Sequence, residues 1–194
     1  MTLYDSADSK YYYPDTNILI NKLDIHDNNL LKEAESLFTG QRLLELQADP
    51  LQGDFNIKHL LNIHYYIFQD LYDFAGKVRD EDLSKDYTFF AKFQFIVSNA
   101  EDLFNKLKSE KNIGTNIEMF SNKAAYYMAE LNILHPFREG NGRAIREFIR
   151  CLALKNNYVL NWTIVDKDEL LEASIKSIVN TVQLANCIRK SIEI

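Results

Sequence analysis

Apolar side chains recur at helical spacing along most of this chain, and the places where that period fails mark its turns and one extended segment. The first periodic stretch runs from 29 to about 46, with Leu30, Leu31, Ala34, Leu37, Leu43 and Leu44 as its apolar stripe and Gly40 as a candidate kink. Residues 48–54 form a loop by composition, and a second helix is predicted from 56 to about 74, stopping at Gly76. Between 77 and 88 the period is lost, which predicts a short β-hairpin or an extended flap. Helices follow at about 90–108, 117–134, 143–156, 167–179 and 182–191, with Asp166 as the N-cap of the fourth of these. Residues 158–162 read as a brief extended link, and the turn-rich, aromatic residues 11–17 as an ordered arm packed on the body. The fold class is therefore all-α with a small β-hairpin, built as one domain over 1–194 in which 156–194 are C-terminal helices packed on the rest.

Composition narrows the function classes. Hydrophobic residues are 46% and charged residues 26%, an ordinary globular balance, and the formal net charge of −6 argues against a surface that coats nucleic acid. No apolar run approaches the ~20 residues that span a bilayer, and the first residues lack a basic start and an apolar core, so no membrane and a cytoplasmic location are expected. Cys151 and Cys187 both lie in apolar helical patterns and read as buried thiols rather than a disulfide. His59 and His64 are five apart on one helix, a poor spacing for a shared metal, and His26 sits in a turn; all three read as structural.

The chemistry concentrates in His135-Pro136-Phe137-Arg138-Glu139-Gly140-Asn141-Gly142-Arg143-Ala144-Ile145-Arg146. Glycines beside Asn141 let backbone amides approach an anion, and the loop feeds a helix N-terminus that favours negative charge. Arg143 and Arg146, three apart, share a helix face and can close on a phosphate chain; a salt bridge to Glu147 or Glu172 is the structural alternative. His135 is a candidate base, Glu139 a candidate Mg²⁺ ligand, and Phe137 an anchor by burial. Phosphate chemistry is the leading use for such a set.

This run resembles the signature of Fic domains, H-x-F-x-[DE]-G-N-G-R-x-x-R, with every fixed position filled. Residues 13–19 with 21–23, Arg42-Leu43 and 68–79 are also similar to the upstream part of class I bacterial Fic toxins, so the likeness covers about 11–155. The resemblance implies a Fic fold and transfer of AMP from ATP to a protein hydroxyl. By position, His135 would be the general base and Glu139 the Mg²⁺-binding acid. Gly140, Asn141 and Gly142 would line the phosphates, while Arg143 and Arg146 would hold the triphosphate. Ser84, Lys85, Asp86, Tyr87, Thr88 and Phe89 would form the flap that pairs with an extended target segment. Glycine at 142, where the related Doc kinases carry lysine in an A-N-K-R variant, favours nucleotidyl transfer over phosphorylation. Phe74 stands where similar toxins often have tryptophan. No Ser or Thr is followed four residues later by Glu, so the inhibitory pattern [ST]-x-x-x-E-[GN] is missing from the chain; an antitoxin supplying that helix in trans is the implied regulator. Type II topoisomerase subunits are the implied targets, with no direct nucleic-acid binding. Transfer of UMP or GMP, removal of AMP, and a catalytically silent nucleotide-binding module are the alternatives.

Overall fold

The computed structural model describes residues 9–85, 88–110, 113–114 and 116–193. Two helices at its centre carry the chemistry-bearing run. Helix α4 (Ile117–Leu134) ends at His135, and α5 (Asn141–Lys155) starts six residues after that cap. Both are fixed by burial on more than one side. On α5, Ala144, Ile145, Phe148, Ile149, Leu152 and Ala153 point inward; on α4, Phe120, Ala124, Tyr127, Met128 and Leu131 do. Helix α2 (Ile57–Phe68) packs across α5, while α7 (Val182–Lys190) packs on α4. Helix α1 (Asn28–Ala48) lies on α2, and α3 (Ile96–Ser109) fills the space beside α2 and α4. Helix α6 (Lys167–Lys176) is outermost, against α7.

Side-chain caps set several starts. Asp27 accepts from the N–H groups of Asn29 and Leu30, Asn56 from His59, Asn116 from Met119, and Asp166 from Asp168 and Glu169, the last as the sequence predicts. Between α2 and α3, strand β1 (Ser84–Lys85) pairs antiparallel with β2 (Thr88–Phe89) in the register Ser84↔Phe89 and Lys85↔Thr88. This is the expected hairpin; Asp86 and Tyr87, between its strands in sequence, lie outside the described residues. The N-terminal arm is ordered as expected: Tyr12 bridges Leu19, and Tyr11 donates to Asp80 while its ring meets Phe74 edge-on. Both cysteines are buried free thiols.

Several expectations are corrected. Helix α1 continues unbroken through Gly40, and only half of its predicted stripe faces the core: Leu31 is buried and Ala34 and Leu43 pack against it. Leu31, Thr39 and Leu46 are buried, whereas Leu30, Leu37 and Leu44 are 53%, 71% and 67% exposed. Polar groups displaced them: Thr39 and Glu35 turn inward because they have partners on α5. Helix α2 ends at Phe68, not near 74, because the chain must turn to bring Gly76 back to His64. Helix α3 starts at Ile96 after a 3-10 turn at Phe93–Phe95, since residues 90 and 91 are committed to the hairpin's foot. The link at 158–162 becomes strand β3 (Val159–Leu160), paired with β4 (Ile192–Glu193) at the far end of the described chain. That pairing joins segments with no local sequence relation.

Candidate functional site

His135 closes α4 as its C-cap in the left-handed conformation, φ 45° and ψ 61°, which turns the chain sharply toward Pro136. Its ring stacks on Phe90 at 3.7 Å between centroids and 16° between planes. Nδ1 lies 3.3 Å from the carbonyl oxygen of Asn132. With Nδ1 donating there, the ring's lone pair sits on Nε2. Burial, with the charges of Arg79, Lys85 and Arg138 in support, pushes the imidazole down to about 3, so it is neutral at physiological pH.

The loop from Pro136 to Gly140 is built around two polar braces. Asn141 accepts from the Phe137 N–H (2.9 Å) and donates to the Phe137 carbonyl (2.8 Å), closing a ring across the turn. Its side chain is thus consumed by the backbone, and its contribution to an anion would come from its amide. Phe137 is fully buried and stacks on His64 at 3.7 Å, as an anchor should. Gly140 adopts φ 78°, and a Cβ there would stand 2.1 Å from the Phe68 ring, so only glycine fits. The N–H of Arg143 and that of Ala144 turn to the Gly140 carbonyl, while those of Asn141 and Gly142 take no partner among the described residues. They form the open N-terminus of α5.

Around that N-terminus stand the charged groups. The Glu139 side chain is 22% exposed; Oε1 accepts from the Gly140 N–H (2.8 Å), and Oε2 has no hydrogen bond among the described residues. Burial, then the neighbouring Glu35, raise its carboxyl above the usual range. Arg143 Nη2 is 2.5 Å from Glu35 Oε1 and 3.7 Å from Glu139 Oε1, and Nη1 donates to Thr39 (3.2 Å). Arg146 makes no ion pair among the described residues. Glu147 is taken by Arg150 and Glu172 by Lys176, which sets aside the salt bridges weighed for it. Its guanidinium folds back over Gly142, whose Cβ would lie 3.2 Å from Arg146 Nη1. Burial, then the charge of Arg143, lower its pKa. Two partly buried guanidinium groups, one of them held by Glu35, therefore stand in the first turns of a helix whose first amides are open, with Glu139 3.7 Å from Arg143. Such an arrangement can take a polyanion and a divalent cation together.

The profile of the Fic/DOC family matches residues 54–153. The chain is 36% identical to the "Probable protein adenylyltransferase Fic" of Salmonella typhimurium, across 78% of this chain and 76% of that protein. The chain belongs to the Fic/DOC family. It is also 40% identical to the protein adenylyltransferase VbhT of Bartonella schoenbuchensis over 91% of its own length, but spans only 37% of that relative. The Fic domain of a VirB-translocated Bep effector of Bartonella quintana, solved with bound ADP, superposes with a TM-score of 0.87. That likeness covers 94% of each chain at 24% identity and establishes the fold as the all-α Fic fold.

Four residues outside the Fic signature's fixed positions are structurally prominent here, and sequence reasoning gave them no such place. His64, fully buried, accepts from the Gly76 N–H at Nδ1 (2.9 Å) and donates from Nε2 to the Glu139 carbonyl (3.0 Å), so it pins the loop from beneath. Burial first, then Arg143, hold it at about 3. Glu35 on α1 holds Arg143 and receives the Tyr72 hydroxyl at 2.5 Å. Arg138 is buried beneath the rings of Tyr11 and Tyr12 at 5.7 and 4.8 Å, binding the N-terminal arm to the Fic loop. Arg79 reaches the His135 carbonyl. No local pattern flags Glu35, which meets its partner across 108 positions. An apolar helix with a histidine was the available hint for His64. Among the described residues no helix is long and apolar enough to cross a membrane.

Proposed function

We propose that this chain is a protein adenylyltransferase that transfers AMP from ATP to a hydroxyl side chain of a target protein. The observation that carries the reading is the short loop that joins His135, at the end of α4, to the start of α5, whose first two turns bring two arginines and the open amides. In this reading the His135 Nε2 lone pair takes the proton of the incoming hydroxyl as its oxygen bonds to the α-phosphorus. The bond from that phosphorus to the bridging oxygen breaks, and pyrophosphate leaves. Arg143, Arg146 and the amides of Asn141 and Gly142 offset the charge of the triphosphate and align it for in-line attack. Glu139, whose Oε2 takes no hydrogen bond among the described residues, would hold a Mg²⁺ ion beside the phosphates. Bound there, the ion would add charge neutralisation. In the flap expected over 84–89, Ser84–Lys85 and Thr88–Phe89 would present a strand edge to the target.

Mass spectrometry after incubation with Mg·ATP tests the reading. An adduct of one AMP on the chain or on a purified target, lost in His135→Ala, supports transfer; tight ATP binding with no adduct on either points to a silent module instead. Parallel reactions with GTP and UTP decide the base. The missing inhibitory pattern and the absence of an ion pair on Arg146 among the described residues favour a toxin restrained in trans by a small antitoxin. Co-expression with the neighbouring reading frame should abolish the adduct. Type II topoisomerase subunits are the first targets to assay, and failure to label them would remove that assignment alone.

A further inference from the structure

Arg79 is one of the largest fully buried side chains, 2% exposed, and it sits where the hairpin meets the end of α4. Its Nε donates to the His135 carbonyl (2.8 Å) and Nη2 to the Leu134 carbonyl (3.3 Å). On the other side Nη1 donates to the carbonyl of Glu81, and Nη2 also to that of Ala91. Its backbone N–H donates to Pro136 (2.9 Å). Glu81 precedes β1 and Ala91 follows β2, so one guanidinium grips both feet of the hairpin and the helix end that carries His135. The same junction holds the Phe90 ring on the imidazole, and the Ala91 N–H donates to Ile133 (3.1 Å). We propose that Arg79 is a positioning residue that couples the hairpin to His135, so that a segment bound on the hairpin and the base that acts on it keep one fixed relation.

The physics favours arginine here. Carbonyls of the last helical turn lack intrahelical donors and carry the negative end of the dipole, which a cation relieves. A planar fork with five N–H groups can serve four carbonyls at once; an ammonium on a flexible stem cannot hold the same directions. A displacement of about 1 Å between reacting groups costs on the order of 100-fold in rate, so the clamp matters beyond its share of stability. The catalytic consequence rests on the adenylyltransferase reading above. The coupling of hairpin to ring does not.

The test uses Arg79→Lys, Arg79→Gln and Phe90→Leu in the full chain, each studied below its own melting midpoint. Proton NMR follows the His135 ring, which the stacked Phe90 shields, against His26, His59 and His64 as internal references. In the Arg79 variants the His135 signals should lose that shielding while the other three histidines stay in place. With α-labelled ATP and the chain itself as acceptor, kcat should fall about 10- to 100-fold while KM for ATP changes less than about twofold. Phe90→Leu, which leaves the clamp intact, should reproduce the loss in kcat and keeps the idea testable should neither Arg79 variant fold. Unmoved His135 signals in a folded Arg79 variant, or a Phe90→Leu protein with wild-type kcat, would overturn the proposal. Should the wild-type chain transfer no AMP, the adenylyltransferase reading falls, and the NMR comparison alone decides the role of Arg79.

Discussion

Lowering the pH from 7 to 5 should cost this protein much of its stability through two histidines. His64 and His135 are each held at about 3 against an ordinary value of 6.5. A group depressed in this way is neutral in the folded chain and takes up a proton first in the unfolded one. Stability therefore falls as pH drops below 6.5 and goes on falling until about 3. Each unit of separation is worth about 1.4 kcal/mol, so at pH 5 each histidine has withdrawn about 2 kcal/mol, and the two together about 4. That is a large share of the ~5–15 kcal/mol that holds a domain together. His59, also depressed by burial, works in the same direction, while Glu139, whose carboxyl is raised, works against it. Aspartates lowered by their partners, Asp70 and Asp80 among them, lose their contribution mainly below their ordinary value of 3.8 and matter little at pH 5. The assay is urea unfolding followed by the fluorescence of Trp162, at both pH values, for the wild type and His135→Asn. Asparagine accepts the left-handed backbone at this position and does not titrate. The variant should lose about 2 kcal/mol less than the wild type between the two pH values. Equal losses would refute the claim that folding withholds this imidazole from protons.

Three further outcomes follow from the site. Gly140→Ala places a methyl against the Phe68 ring at a positive φ; strain and overpacking together should destabilise the chain by about 2–5 kcal/mol, read from its thermal or urea transition. Arg146→Ala removes the guanidinium that makes no ion pair among the described residues, and calorimetry should show ATP affinity falling by about 10- to 100-fold with the fold intact, since a charge-assisted bond contributes about 1.5–3 kcal/mol. Glu35→Gln leaves Arg143 and the Tyr72 hydroxyl with a neutral partner; it should cost about 1–3 kcal/mol in urea unfolding and bring the Glu139 carboxyl down toward its ordinary range, visible by carbon NMR.

The starts of the capped helices were legible to within a residue or two. The span 117–134 was read without error, because Asn116 caps one end and Pro136 follows the other. The hairpin was legible from the failure of helical period, and the signature loop from its residues. Elsewhere local pattern misled. The leucines of α1 promised a buried stripe, yet Leu30, Leu37 and Leu44 face outward, since Glu35 and Thr39 found partners on another helix. Nothing local showed what the Asn141 side chain does: it braces Phe137 across the turn and leaves the backbone amide open.

By itself the sequence determined the type and order of the helices, the hairpin, and the one run in which base, carboxylate, glycines and arginines are covalent neighbours. Those features are local: periodicity, capping and steric permission act over a few residues, so they are written where they operate. Tertiary structure alone decided which groups tune that run. The burial that keeps His135 neutral, the carboxylate of Glu35 on Arg143, the histidine under Glu139 and the arginine behind the hairpin all come from segments far apart in the chain. Desolvation and charge–charge interaction depend on distance through space, and only packing sets that distance.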